Sequence, residues 1–303
     1  MSLEIKCAGL VGLGRMGWRL ALRLSELGIK LTGYDIEPKN GAALANSGIS
    51  IAENLATLVK RLPTPRLVLV MLPAGEPTNS TVNELSSLLE SGDTIFEMGN
   101  SFYKDSQQLA QKLSALGIEL LDVGVSGGVS GARNGPMLSV GGTPEQFQKW
   151  ELFFSRLAGE NGCVHAGPTG WGHLTKTIHN GIEYGFLQAI AEGLNTLKAA
   201  SDRSGMSVDL KSICQAWSQG SIIESRLIKD GASALELLEK RDISGVVGGG
   251  QTGNWAADIA RENGVEVPVL DAALAFRRAS RNHPGFTGQV IAAIRNVFGE
   301  HGV

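Results

Sequence analysis

VGLGRMG, Val11 to Gly17, sets three glycines at 12, 14 and 17 in the spacing G-x-G-x-x-G. The chain holds 40 glycines in 303 residues, so the spacing alone decides little. Its context decides more. An apolar, strand-like run over residues 3–11 leads into it, and an amphipathic helical pattern over 16–27 leads out. In that setting Gly12 permits a tight turn, Gly14 lets a pyrophosphate approach the backbone, and Gly17 lets the helix pack on the strand. The N–H groups at the start of the helix then face the phosphates. Arg15 and Met16 lie in the same turn. Asp35 ends the next strand-like run, 21 residues beyond Gly14. A carboxylate there accepts both ribose hydroxyls of an adenosine and repels a 2′-phosphate. Glu37 adds a second negative charge and no arginine follows at once, so NAD is expected in preference to NADP, with NADP still possible. A solvated residue at a strand end is the plainer reading of Asp35.

Outward from this turn, short β-rich runs at residues 5–11, 30–34, 66–71, 94–97, 119–122 and 137–141 alternate with helical stretches such as 16–27, 79–90 and 106–116. Alternation at this spacing predicts a mostly parallel, doubly wound sheet. Beyond residue 166 the strand signal ends. Residues 172–200 contain no proline and repeat apolar side chains at helical intervals, which predicts one long, largely buried helix. Helices are also expected at 209–219, 222–229, 232–240 and 270–279. The expected organisation is a dinucleotide-binding α/β domain over 1–166 and an all-α domain over 167–303 for substrate binding and oligomerisation, closely packed with a cleft between them. There is no low-complexity linker and no internal repeat.

Composition narrows the partners. A formal net charge of −3 gives no broad attraction for nucleic acid or an acidic membrane. An anionic ligand must therefore be caught by placed cations and backbone N–H groups. The longest apolar runs fall far short of the ~20 residues that span a bilayer. No signal peptide is read at the N-terminus. Cys7, Cys163 and Cys214 are odd in number and widely spaced, which fits a reducing cytoplasm with neither disulfides nor a metal cluster. Three buried thiols are the expectation.

Two further segments carry chemistry. GWGHLTKTIHNGIEYG, residues 170–185, places Lys176, His179, Asn180, Glu183 and Tyr184 at i, i+3, i+4, i+7 and i+8, on one face of a helix. Such a stripe ordinarily faces water. Here apolar Ile178, Ile182, Phe186 and Leu187 flank it, which suggests that the helix is enclosed on its other sides. The stripe also combines one base and one acid with hydrogen-bonding groups, and a desolvated lysine acts as a base near neutral pH. In DVGVSGGVSGARNG, residues 122–135, a strand end followed by Ser126-Gly127-Gly128 exposes successive N–H groups to a carboxylate, unless it is simply a flexible glycine loop.

Together these residues resemble the β-hydroxyacid dehydrogenase superfamily and, more narrowly, the decarboxylating 6-phosphogluconate dehydrogenases. The matching pieces are VGLGRMG, GNS at 99–101, SGGVSGARNGP, GHLTKTIHNGIEYG and the closing RNVFGEH at 295–301, which span nearly the whole chain. The resemblance implies a Rossmann-type α/β N-terminal domain with an all-α C-terminal domain. It implies that Lys176 takes the proton of the C3 hydroxyl and that Glu183 protonates the enediol left after carbon dioxide departs. Asn100, Ser126, Gly127, Gly128, His179 and Asn180 would hold the carboxylate and hydroxyls of 6-phosphogluconate. Tyr184, Arg277 and Arg295 would bind its phosphate, with Arg278 as a substitute for Arg277 and His301 closing the site. Met71, Leu72, Pro73 and Asn100 would line the dinucleotide. A homodimer or homotetramer is implied, with the tail carrying Arg295 and His301 reaching into a neighbour. No metal is needed.

The chain departs from the family's long members in lacking their extra helical domain, and so resembles their short form. The Asp35 region replaces their NADP-binding arginine. EMGN at 97–100 has Met98 where a glycine is usual, and their phosphate-binding lysine falls near Gly250. Two other readings compete. An enzyme acting on an unphosphorylated 3-hydroxyacid, such as 3-hydroxyisobutyrate, would leave Arg295 and His301 on the surface. A non-catalytic dinucleotide-binding regulator would have no use for a base and an acid on one helix face.

Overall fold

The computed structural model describes residues 5–42, 44, 47–249 and 251–302. Residues 3 and 4 of the expected first strand, and Gly250, lie outside the described residues. The chain divides into two compact units, Met1–Thr177 and Ile178–Val303.

In the first unit, strands β1 (Cys7–Val11), β2 (Lys30–Tyr34), β3 (Ser50–Ile51), β4 (Leu67–Val70), β5 (Thr94–Glu97), β6 (Glu119–Ser126), β7 (Met137–Gly141) and β8 (Cys163–Gly167) form one sheet in the order β3-β2-β1-β4-β5-β6-β7-β8. Neighbours from β3 to β6 pair in parallel, β7 is antiparallel to β6, and β8 is parallel to β7. Helices α1 (Gly17–Glu26), α2 (Pro38–Ala42), α3 (Leu55–Lys60), α4 (Glu76–Leu88), α5 (Tyr103–Ser114), α6 (Gly128–Asn134) and α7 (Pro144–Leu157) make the connections. Strand order reverses between β1 and β4, the point at which ligands bind in doubly wound sheets. Apolar side chains are buried on both sheet faces, one with α1 and α7 and the other with α3, α4 and α5. On the first face, Phe96 stands edge-on to Trp150 at 5.0 Å between ring centroids.

Three differences from the sequence reading have local causes. β3 has only two residues, too few for a periodicity to register. β8, CVHAG, buries none of its residues fully and leaves Val164 exposed, so it lacks the alternation of a half-buried strand. β6 runs through Ser126, four residues past its expected end. Gly124 resembles a loop residue in sequence. In the fold a Cβ there would come within 2.6 Å of Ser139 Oγ, Gly172 O and Lys176 Cβ. It is a close-packed strand position.

α8 (Trp171–Ser204) is the long helix expected near 172–200, and the division between units falls within it. The second unit continues with α9 (Leu210–Trp217), α10 (Arg226–Lys240), α11 (Thr252–Glu262), α12 (Pro268–Ala279) and α13 (Phe286–Gly299). The two helices expected at 222–229 and 232–240 are one, α10. It starts where the Ser225 side chain accepts the Ile228 N–H at 3.2 Å and continues through buried Gly231. Leu187, Ile190, Ala191 and Leu194 of α8 join residues of α10 and α13 in the core. Ile178 and Ile182 do not: they are exposed, contrary to the enclosed helix that their apolar character suggested. They line a groove of about 740 Å³ with residues of α11 and α12 and the loop between them.

Among the described residues no helix is long and apolar enough to cross a membrane, and no cluster of His, Cys, Asp and Glu could hold a metal ion. Cys7 and Cys163 are half-buried and only Cys214 is fully buried, which corrects the expectation of three buried thiols. Burial still pushes the Cys163 and Cys214 thiols up to about 11.

Candidate active site

The glycine turn sits at the carboxyl end of β1. Gly12 has φ +92°, and a Cβ there would meet Met71 O at 2.2 Å. A Cβ on Gly17 would meet Gly12 O at 1.9 Å, so helix α1 closes directly on the turn. Gly14, by contrast, has nothing within 4 Å of its Cβ position. Two glycines are thus needed for packing within the protein, and the third leaves open space in front of the backbone. Asp35 Oδ2 accepts the Leu13 N–H at 2.6 Å and Oδ1 accepts the Glu37 N–H at 2.8 Å, which fixes the carboxylate beside the turn. Each oxygen keeps acceptor capacity for a hydroxyl. Met71 and Leu72 follow β4 alongside Gly12, with Pro73 next and exposed, as are Arg15 and Asn100; Met16 is half-buried. These residues fit a dinucleotide.

Farther along the sheet, β6 packs against the first turns of α8. Residues 122, 124 and 126 share one face of the strand. Asp122 Oδ1 accepts the Gly170 N–H at 2.6 Å, and Oδ2 accepts the His173 N–H at 2.8 Å. The carboxylate thereby caps the helix N-terminus, where negative charge is favoured. One turn later Lys176 Nζ donates to Ser126 Oγ at 3.1 Å. The close approach needs Gly172 as well, whose Cβ would lie 2.3 Å from Asp122 O. Gly127 and Gly128 follow Ser126 with φ of +118° and +61°, a turn that side chains resist. We expect Gly124→Val to unfold or inactivate the protein, because even its first carbon overlaps Lys176 and Gly172. A thermal midpoint unchanged within about 2 °C, where 1 kcal/mol moves a large domain by roughly 2–4 °C, would contradict this packing.

In the second unit His179 Nδ1 lies 3.3 Å from Asn180 Oδ1. Tyr184 carries Arg277 stacked on its ring, with the guanidinium carbon 3.4 Å from the centroid. Arg277 and Arg295 both donate to Gly248 O, at 3.3 and 2.6 Å, and are 7% and 9% exposed. Among the described residues, no acceptor reaches Arg277 Nη2. Burial pushes Arg277 down to about 10; Tyr184 opposes the shift, the adjacent Arg295 cation adds to it, and Glu183 opposes it. Burial lowers Arg295 too. Two desolvated cations held on one carbonyl make a receptor for an anion.

None of the five polar residues on the α8 stripe is exposed, so it is no ordinary solvated face. Arg277 is buried and Arg278 is exposed. Arg295 meets Arg277 at the Gly248 carbonyl within the chain. His301 is half-buried, edge-on to Phe298 at 5.9 Å, and its carbonyl accepts from Asn296 Nδ2 at 2.7 Å. The sequence reading passed over Glu97, Asp122, His173 and Gly248. The two carboxylates carried a signal: each interrupts an apolar strand, TIFE and LLDV. Gly248 acts through its carbonyl and carried none.

Comparison with known proteins bears on the whole chain. Residues 8–167 match the NAD binding domain of 6-phosphogluconate dehydrogenase, and residues 191–303 match the C-terminal domain of the same enzyme. The chain is 35% identical to the NAD(+)-dependent, decarboxylating 6-phosphogluconate dehydrogenase of Haloferax volcanii, over 97% of both chains. Among solved structures, it superposes on Plasmodium falciparum 6-phosphogluconate dehydrogenase with a TM-score of 0.81 at 26% identity, covering 91% of this chain and 62% of that one. The 3-hydroxyisobutyrate dehydrogenase of Mycobacterium tuberculosis shares the fold, with a TM-score of 0.72 at 19% identity over 95% of this chain and 98% of that one.

Proposed function

The chain belongs to the 6-phosphogluconate dehydrogenase family, and we propose that it converts 6-phosphogluconate to ribulose 5-phosphate and carbon dioxide while reducing a nicotinamide dinucleotide. The observation that carries this reading is the pair of buried arginines at Gly248. Their cost in desolvation is offset when a doubly charged phosphate lies against them; an unphosphorylated 3-hydroxyacid, with its carboxylate held at Ser126, Gly127 and Gly128, has no second anionic group for them. The burial of Arg295 stands against that competing substrate.

In this reading Gly12, Gly14 and Gly17 with Arg15, Met16, Asp35, Met71, Leu72, Pro73 and Asn100 hold the dinucleotide. The cofactor, when bound, supplies a hydride acceptor. Lys176, oriented by Ser126, takes the proton of the C3 hydroxyl. The resulting ketone is β to the C1 carboxylate, so the electrons of the breaking C1–C2 bond flow into the carbonyl as carbon dioxide leaves. Lysine in its protonated form polarises that oxygen. Glu183, seven residues on along the same helix, protonates the enediol. Asn100, Ser126, Gly127, Gly128, His179 and Asn180 hold the carboxylate and hydroxyls, and Tyr184, Arg277, Arg295 and His301 hold the phosphate end. The test is dinucleotide reduction with 6-phosphogluconate against gluconate: kcat/KM should favour the phosphorylated acid by at least ~100-fold, near the worth of a charged hydrogen-bond pair. Equal efficiency with gluconate would remove the phosphate from the account.

The cofactor preference follows from Asp35. NAD should exceed NADP in kcat/KM by at least tenfold, about 1.4 kcal/mol, since the carboxylate beside the turn meets the 2′-phosphate. Asp35→Ala should narrow the gap; equal use of both cofactors by the parent would contradict it.

Assembly as a homo-oligomer, at least a dimer, belongs to the same reading. Ile178, Ile182, Val265 and Val269 are exposed on the groove beside α8, a continuous apolar patch of the kind a second copy covers. Light scattering should give at least twice the 32.0 kDa chain mass, and Ile182→Glu should shift it toward one. A monomeric parent would refute this.

A further inference from the structure

Four polar side chains meet inside the first unit with almost no access to solvent: Glu97, Ser106, Asp122 and His173. Each carboxylate serves a different part of the site. Glu97 Oε1 accepts the Gly99 N–H at 2.9 Å, holding the backbone that leads into Asn100. Asp122 holds the N–H groups of Gly170 and His173, three residues before Lys176. The His173 ring stands between them. Its Nδ1 is 2.8 Å from Ser106 Oγ, 3.3 Å from Glu97 Oε2 and 3.9 Å from Asp122 Oδ2. Ser106 Oγ in turn donates to Glu97 Oε2 at 3.4 Å.

The surroundings select the tautomer. An Nδ1 without a proton would turn its lone pair on the Glu97 carboxylate, while an Nε2–H would be a buried donor that no described residue accepts. With the proton on Nδ1, the ring donates to Ser106 Oγ, and the Ser106 hydroxyl donates to Glu97 Oε2. We propose that His173 is a positioning residue that ties the Asn100 loop to the first turn of α8, and so sets where Lys176 stands relative to Asn100. The inference rests on the roles given to Lys176 and Asn100 under the proposed function. Glu97 and Asp122 alone cannot make this tie, because both are acceptors. A donor must lie between them.

The experiment compares His173→Asn, His173→Leu and Ser106→Ala with the parent enzyme. An asparagine amide N–H occupies the place of Nδ1–H, whereas leucine fills the volume without a donor. His173→Leu should lower kcat at least ~30-fold, within the reach of a small misplacement of catalytic groups, and leave the dissociation constant for NADH within about threefold. His173→Asn should recover kcat to within about fivefold of the parent, and Ser106→Ala should lose roughly 3–10-fold. Should the leucine variant not fold, the other two carry the comparison. The idea is overturned by asparagine no better than leucine, by a leucine kcat within threefold of the parent, or by an unchanged kcat in Ser106→Ala. A parent inactive on 6-phosphogluconate would instead strike the proposed function. The tie is then judged by nitrogen-15 spectra of histidine-labelled protein. They should contain an Nδ1-protonated ring whose signals His173→Asn removes, and an Nε2-protonated His173 would refute it.

Discussion

Lys176→Met is expected to lower turnover at least ~100-fold, the usual loss when a general base is removed, with dinucleotide affinity little changed. Methionine keeps the length and apolar stem of lysine, so the packing of α8 against Gly124 survives while the Nζ donor at Ser126 Oγ is lost. The effect should fall on kcat rather than on the KM for dinucleotide, because the glycine turn and Asp35 are untouched. Turnover within tenfold of the parent would mean that the base lies elsewhere. Glu183→Gln is the companion: it should slow the later proton transfer and spare cofactor binding.

Arg295→Ala is expected to cost about 2–3 kcal/mol of binding to the phosphorylated substrate, a rise in KM of roughly 30–150-fold, with the rate on gluconate unaffected. Arg295 donates to Gly248 O beside Arg277, so its loss removes half of the anion receptor. Equal losses on both substrates would contradict the phosphate assignment. The pH dependence has a defined sign. Burial lowers Arg277 from the ordinary arginine range to about 10. Below about 10 the folded and unfolded chains both carry its proton, and the burial penalty is felt in full. Above 10 the folded chain releases the proton first, and the penalty fades. An anion bound at the site draws on the protonated form, so its stabilisation is present below 10 and lost as pH rises through it. Inorganic phosphate should therefore raise the thermal midpoint at pH 8 and cease to do so near pH 11. A constant increment across that range would refute the role of Arg277.

Features in which a local pattern maps onto a local structure were legible in the sequence. VGLGRMG was legible because its three glycines answer to two steric contacts and one open approach. The α8 stripe was legible because i, i+3 and i+4 spacing survives in any helix. What escaped depended on partners distant in sequence. DVGVS resembles a strand stop followed by a loop, since the need for glycine at 124 arises from Lys176 and Gly172 some fifty residues later. The convergence of Arg277 and Arg295 on one carbonyl is set by how α12 and α13 pack. Ile178 and Ile182 misled for a related reason. Apolar side chains at helical spacing show that a face is to be covered, without showing that the same chain covers it.

Under the proposed function, oxidation of 6-phosphogluconate is coupled to loss of its carboxylate. This coupling is tested most directly with substrate labelled with carbon-13 at C1, following reduced dinucleotide and labelled carbon dioxide in one reaction, with 3-hydroxyisobutyrate run in parallel. The account predicts one labelled carbon dioxide for each dinucleotide reduced, and negligible reduction with 3-hydroxyisobutyrate. Reduction without labelled carbon dioxide, or efficient turnover of 3-hydroxyisobutyrate in place of 6-phosphogluconate, would contradict it.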